Sequence, residues 1–365
     1  MRISSLHDDL LWPCVAHSCG LGELDRTGSR RLPLAEHSPL RRTAQFGVSD
    51  GGACWWKEAG AAAKGALFDG YHAALAPALS GHYETVVAAV FDRYLVDDLH
   101  RAANFGGDGG DREAEERTRA ALEDLGRHGP LAAAAGTRVV LAVEGMDYVR
   151  SEAQAIALWD AGARVFAFQY NRPNALTHGH CAADAGYEGL TPLGRRVAAD
   201  LLERGAVLDL AHAARSTRSD LLDLAEAAGR GAQVAYTHGA LREDADAARV
   251  ATLPGRFLDA AEARRVLRLG GMVGLTPARP FHPSPERFAA RIASLVRNAE
   301  GGATGVALGT DFGGLSEGAL LPGMASAPQV GERLADLLAT RHGLGDDAIA
   351  AVLRANATAY LRHLA

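Results

Sequence analysis

The chain has 365 residues, 48% hydrophobic and 22% charged, with 38 basic against 44 acidic side chains and a net charge of −6. That length can bury a large core, as one α/β barrel with extra loops or as two domains, and the lack of a dense basic patch argues against a nucleic-acid partner. The N-terminus MRISSLHDDLLWPC has no secretory pattern and no run approaches the length of a bilayer, so the expectation is a cytoplasmic protein without a membrane partner.

In chain order, a short strand-like run comes first and ends at His7-Asp8-Asp9. Residues 21–50 are polar and Arg-rich and read as an excursion. A cluster at its end, Phe46-Gly47-Val48 and Cys54-Trp55-Trp56, would line a pocket or pack as a lid. Tyr83–Leu99 has a helical pattern. Asn104–Arg119 (NFGGDGGDREAEERTR) reads as a mobile loop entering a helix, and GGDGGD lacks a phosphate-loop lysine. The four cysteines (Cys14, Cys19, Cys54, Cys181) form no CxxC pair and read as free thiols of a reducing compartment.

Arg138–Val143 is a continuous apolar strand that stops at Glu144-Gly145. A helix over Glu152–Ala161 leads to the strand Arg164–Phe168, which ends at Gln169-Tyr170-Asn171. Two further apolar runs, Val207–Leu210 and Gln233–Tyr236, each finish at a histidine, His212 and His238. Leu221, Leu222, Leu224 and Ala225 lie between them at helical spacing, which makes one β–α–β unit. The helix Ala260–Leu269 is closed by Gly270-Gly271 and followed by the strand Met272–Leu275. A helix over Arg287–Asn298 precedes Gly305–Leu308, which runs into Gly309-Thr310-Asp311, and helices near Val330–Thr340 and Asp347–His363 end the chain. This alternation predicts an α/β fold with parallel strands inside outer helices, a (β/α)8 TIM-like barrel over residues 1–365 as one domain. The strand count is least defined in residues 21–135.

Polar residues collect at the strand ends: His7, Asp9, Glu144, His212, His238 and Asp311. Chemistry in such barrels sits at the carboxyl ends of the strands. Each histidine alone could simply cap a strand or sit satisfied in the wall. Together, imidazoles and carboxylates are zinc ligand types, and two ions sharing one carboxylate can activate water and polarise a carbonyl. In His7-x-Asp9 the two side chains project to one face of an extended strand and reach one ion. The ligand types alone also admit manganese, cobalt or iron.

Several motifs, in order, carry a resemblance. They are HDDL at His7–Leu10, VEG at Val143–Gly145, GLTPLGR at Gly189–Arg195, LDLAH at Leu208–His212, THG at Thr237–Gly239, RFLDAAEARRVLRLGGMVGL at Arg256–Leu275 and LGTDFGG at Leu308–Gly314. The chain resembles the membrane (renal) dipeptidase family, peptidase family M19, within the amidohydrolase-like barrels. The resemblance implies a hydrolase that cleaves dipeptides or dipeptide-like conjugates with two Zn2+. His7 and Asp9 would hold one ion, His212 and His238 the other, and Glu144 would bridge them. Asp311 would be the acid/base carboxylate that handles the water's proton and the substrate's amino group. Arg256 would receive the terminal carboxylate, with Arg249 the competing choice if the loop Leu241–Gly255 shifts the register. A homodimer is common in the family.

The chain also departs from the family. SLHDDLLWP stands where DGHNDLP is usual, which shortens the preceding strand. Tyr170, in Tyr170-Asn171-Arg172-Pro173-Asn174, takes the place of a histidine near the scissile carbonyl; a phenol can also donate to a developing oxyanion. His178 and His180 follow, on a solvated loop or reaching inward. Two further readings therefore stay open: a specialised amide hydrolase of a biosynthetic pathway, trimming for example a Cys–Gly conjugate, and a non-catalytic barrel with an incomplete metal site.

Overall fold

The computed structural model describes residues 2–9, 79–91, 111–182, 188–245, 247–299, 302–312, 315 and 319–364. Eight parallel strands close into a barrel in sequence order: β1 (Ile3–Asp8), β2 (Tyr83–Phe91), β3 (Arg138–Glu144), β4 (Ala163–Ala167), β5 (Val207–Asp209), β6 (Val234–Tyr236), β7 (Met272–Leu275) and β8 (Val306–Leu308), with β8 returning to β1. Around them lie α1 (Asp111–Ala135), α2 (Glu152–Asp160), α3 (Pro192–Arg204), α4 (Arg215–Ala227), α5 (Ala247–Thr252), α6 (Ala260–Arg268), α7 (Pro285–Asn298) and α8 (Ala327–Thr340). This is the (β/α)8 architecture that the alternating pattern predicts.

The pleat of each strand sorts its residues into two cores. Leu6, Val87, Ala89, Val140, Ala142, Val165, Val207, Ala235, Met272 and Ala307 fill the barrel interior. Their neighbours on the opposite face, such as Val86, Ala88, Val143 and Phe166, pack under the helices. Strands buried on both faces read as continuous apolar runs. That property explains one correction. The stretch expected to be helical, Tyr83–Leu99, is strand β2 as far as Phe91, and its remainder lies outside the described residues. Thr85-Val-Val-Ala-Ala-Val fits a buried helix and a buried strand equally well by periodicity. Pairing with β3, unbroken from Thr85↔Arg138 to Phe91↔Glu144, decides between them.

Local signals start and stop the helices. Ser151 with Gln154 and Asp259 with Glu262 form capping boxes for α2 and α6. Thr191 caps α3 ahead of Pro192, and Gly205 ends it at φ 93°. The C-terminal helices α9 (Asp346–Ala350) and α10 (Asn356–Leu361), joined by a π-helical turn at Ala351–Ala355, close the amino end of the barrel. Thr358 Oγ1 bonds Ser4 Oγ at 2.9 Å and Thr85 Oγ1 at 3.1 Å, and Asn356 Nδ2 donates to the carbonyls of Ala303 and Val306 at 2.6 and 2.8 Å. The opposite, carboxyl end is left for chemistry. The excursion at 21–50, the Phe46–Val48 and Cys54–Trp56 cluster, the glycine-rich run 104–110 and Cys14, Cys19 and Cys54 lie outside the described residues; Cys181 is a buried free thiol.

At the carboxyl end, β8 and the β6–α5 loop approach so closely that only glycine fits: a Cβ on Gly309 would overlap the carbonyl oxygen of Thr237. Gly309→Ala should lower the free energy of unfolding by about 1–3 kcal/mol, the usual cost of overpacking, measured by denaturant titration.

Candidate metal centre

Glu144 is the last residue of β3 and continues the inward parity of Val140 and Ala142. His7 and Asp9 lie at the end of β1, His212 and Asp311 three residues past β5 and β8, and His238 two past β6. These six residues, from five strands, are each no more than 9% exposed. Glu144 Oε1 lies 3.2 Å from His212 Nε2, 3.5 Å from His7 Nε2 and 3.6 Å from His238 Nε2. His212 Nε2 and His238 Nε2 are 2.9 Å apart, and His7 Nε2 is 3.9 Å from Asp9 Oδ1.

Neighbouring bonds decide what those atoms are. His212 Nδ1 lies 3.0 Å from Asn171 Oδ1, which can only accept, so Nδ1 carries the proton. Thr237 Oγ1 donates its one proton to Asp209 Oδ2 at 2.6 Å and therefore accepts from His238 Nδ1 at 3.1 Å. Both Nε2 atoms are then bare lone pairs, facing each other and a carboxylate oxygen. Among the described residues, His7 Nε2 and Asp9 Oδ1 have no hydrogen-bond partner. Without a cation this convergence is repulsive. Ligands about 2.0–2.1 Å from a tetrahedral ion stand about 3.3 Å from one another, so the 3.2–3.6 Å separations fit such an ion. Two overlapping triads, Glu144-His212-His238 and His7-Asp9-Glu144, each bring ligand atoms within 4.8 Å of one another, with Glu144 common to both.

The charges agree. Burial, then the charge of Arg256, pushes the His7 imidazole down to about 3, and burial above all holds His212 and His238 well below the usual range, so all three stay neutral. Burial and the neighbouring acids raise Glu144 and Asp9, and burial lifts Asp311 to about 7 against the pull of Arg256 and a hydrogen bond with Asp9. Packed carboxylates with one arginine among them lack positive charge, which a dication supplies.

Other expected residues separate clearly. Arg256 is 4% exposed, and among the described residues its guanidinium has a single hydrogen-bond acceptor, Tyr236 Oη at 3.1 Å. Arg249 lies on α5, and its side chain is outside the described residues. Tyr170 stacks on His212, with ring centroids 4.1 Å apart and planes at 16°; burial and the acids Glu144, Asp311 and Asp9 keep its phenol protonated. His178 is exposed and turned to Glu188 at 3.9 Å, while His180 accepts from the Ala182 amide.

Sequence reasoning missed the supports. Asp209 Oδ1 accepts from the amides of Ala211 and Thr237 at 2.9 and 3.1 Å, tying the two histidine loops together. Its signal was an acid inside an otherwise apolar strand. Asp8 Oδ1 accepts from Thr310 Oγ1 and from the Phe312 amide, on either side of Asp311. Thr237→Val removes the acceptor of His238 Nδ1; metal affinity, read by chelator competition, should fall about 10- to 100-fold.

A family model described as membrane dipeptidase (peptidase family M19) matches residues 129–364, a span that contains Glu144, Tyr170, His212, His238, Arg256 and Asp311 and follows His7 and Asp9. A search of curated proteins returns no match. Among solved structures, the dipeptidase AC, an M19 metallopeptidase, superposes with a TM-score of 0.66 at 17% identity, over 99% of this chain and 98% of its own. A metallopeptidase from Rhodobacter sphaeroides, liganded with a phosphinate mimic of L-Ala-D-Ala, gives the same TM-score and identity over 100% and 99% of the two chains. The probable dipeptidase PvdM from Pseudomonas aeruginosa gives 0.60 at 15% identity, over 80% and 89%. At such identities these likenesses speak for the fold, and the family model, which spans well over half the chain, for the lineage: the chain belongs to the membrane dipeptidase family, peptidase family M19, metal-dependent hydrolases of peptide bonds.

Proposed function

We propose that the protein is a binuclear metallo-dipeptidase, with zinc the expected ion, that hydrolyses the amide of a dipeptide or dipeptide-like conjugate. The observation that carries this reading is the meeting of the Nε2 atoms of His7, His212 and His238, the latter two bare lone pairs, around one oxygen of Glu144. His7 and Asp9 would hold one ion, His212 and His238 the second, and Glu144 both. Bound there, the ions would supply an activated water and polarise the scissile carbonyl.

The chain's own residues do the rest. Arg256, buried and with most of its N–H groups unengaged by the described residues, grips the substrate's terminal carboxylate in the two-pronged geometry that orients a small flexible ligand. Tyr170 donates its phenolic proton toward the carbonyl oxygen as charge develops there. Asp311 takes a proton from the attacking water and delivers it to the departing amine as the C–N bond breaks, which leaves two amino acids. Its burial and its hydrogen bond with Asp9 support its place as the proton-handling carboxylate of the site.

Tyr170 also favours a narrower reading of the same chemistry. Its ring lies flat on His212 and fills space at the carbonyl side of the site. This supports a specialised substrate, such as a conjugate trimmed in a biosynthetic pathway. Among the described residues no helix is long and apolar enough to cross a membrane.

Elemental analysis of purified protein should find about two divalent ions per chain, and chelation should abolish release of amino acids from a dipeptide panel. A metal-free active protein, or a loaded protein inert on the whole panel of dipeptides and conjugates, would refute the proposal. Asp311→Asn should lower kcat roughly 10²- to 10⁴-fold with metal content unchanged. Arg256→Ala should raise KM for dipeptides about 10- to 100-fold, the worth of one or two charge-assisted hydrogen bonds, and leave KM for dipeptide amides nearly unchanged.

A further inference from the structure

Beneath the loops that carry His212 and Arg256 lies an arginine that the chemistry above does not use. Arg218, on the first turns of α4, has a side chain only 1% exposed. All five of its N–H groups find an acceptor. Nη1 donates to the carbonyls of Ala213 at 2.7 Å and Gly255 at 2.6 Å. Nη2 donates to the Phe257 carbonyl and to Glu262 Oε2, both at 3.0 Å, and Nε to Glu262 Oε1 at 3.0 Å. The three carbonyls are not arbitrary. Gly255 and Phe257 flank Arg256 on either side, and Ala213 follows His212.

Glu262 completes the device. Its carboxylate neutralises the buried guanidinium through a bidentate pair, and its Oε2 also accepts from the Asp259 amide at 2.9 Å as part of the capping box of α6. The short segment from Gly255 to Glu262 is therefore pinned at both ends of one guanidinium. Arg256 lies between the two carbonyls that Arg218 holds, and among the described residues Tyr236 Oη is the one hydrogen-bond acceptor of its own head group. Backbone bonds add to this hold: the Arg256 amide donates a turn bond to the Leu253 carbonyl at 3.1 Å, the Gly255 amide donates to the Cys181 carbonyl at 2.9 Å, and the Arg242 amide donates to the Leu258 carbonyl at 2.8 Å.

We propose that Arg218, paired with Glu262, is a positioning residue that sets the place of Arg256 and thereby the enzyme's preference for substrates with a free terminal carboxylate. The proposal rests on the reading of Arg256 as the carboxylate anchor. Lysine cannot substitute, because it has three donors and no planar fork to serve three carbonyls and a carboxylate together.

The test uses the metal-loaded enzyme with a dipeptide and its C-terminal amide, and with non-hydrolysable phosphinate dipeptide mimics in acid and amide form. In Arg218→Lys the KM for the dipeptide and the Kd of the acid mimic, by calorimetry, should rise about tenfold, while both constants for the amides and the metal content change less than about twofold. Glu262→Gln, which keeps a residue suited to the capping box, should shift the acid constants in the same direction and serves if the lysine variant does not fold. A merely structural role would weaken acid and amide alike. If Arg256→Ala abolishes the acid-over-amide preference and neither Arg218→Lys nor Glu262→Gln alters it, the positioning role is wrong and the anchor stands. If Arg256→Ala leaves that preference intact, the anchor itself is wrong and the positioning role falls with it.

Discussion

Neutral imidazole nitrogens normally avoid one another, and in this barrel two of them are held 2.9 Å apart, both against the same carboxylate oxygen. The protons that could relieve the contact are drawn away behind the rings, to Asn171 on one side and to the Thr237–Asp209 pair on the other. The remainder of the carboxyl face is organised to maintain this arrangement. Burial removes water that could screen it, and burial also keeps the imidazoles from gaining protons. A cation in the middle would resolve this repulsion, and imidazoles with carboxylates are a donor set suited to a divalent metal.

The backbone carries a visible cost of this arrangement. Among the described residues, three non-glycine positions have positive φ: Asn171 at 65°, His212 at 57° and Asp311 at 55°. All three belong to the site or support it, in keeping with strain gathering where function over-determines the chain. Each is held by its surroundings. The Asn171 amide donates to the His212 carbonyl at 3.1 Å, and Asp8 bonds the residues on both sides of Asp311. Arg218 serves the Arg256 loop from below in the same manner. A buried polar side chain under a loop, bonded to the residues on either side of a functional one, recurs at two places in one barrel end.

The departures from the family pattern leave the candidate metal ligands converging. Strand β1 is short in sequence, yet all six of its residues are buried, and His7 and Asp9 still reach the Glu144 oxygen and each other's neighbourhood. Tyr170 differs in kind from the family's histidine: it is a larger, uncharged donor laid flat on a ring that faces the centre.

How much could be read from the chain alone follows from range. Strands buried on both faces, a β–α–β unit whose strands end at His212 and His238, and the His7-x-Asp9 spacing are local patterns, and they point to a parallel barrel with ligand-type residues at one end. Tyr83–Phe91 is a strand that pattern alone assigns to a helix, because an apolar run has no distinguishing period until neighbouring strands pair with it. The tautomers of the histidines, the supporting roles of Asp8, Asp209 and Asn171, and the grip of Arg218 on both sides of Arg256 join residues 41, 44 and up to 304 positions apart, as from Arg218 to Glu262 or from Asp8 to Phe312. No periodicity records such partners. Composition and spacing determined which residue types could meet at the barrel mouth; only the closed sheet decided which atoms face each other there, because hydrogen-bond direction depends on where distant backbones finally lie.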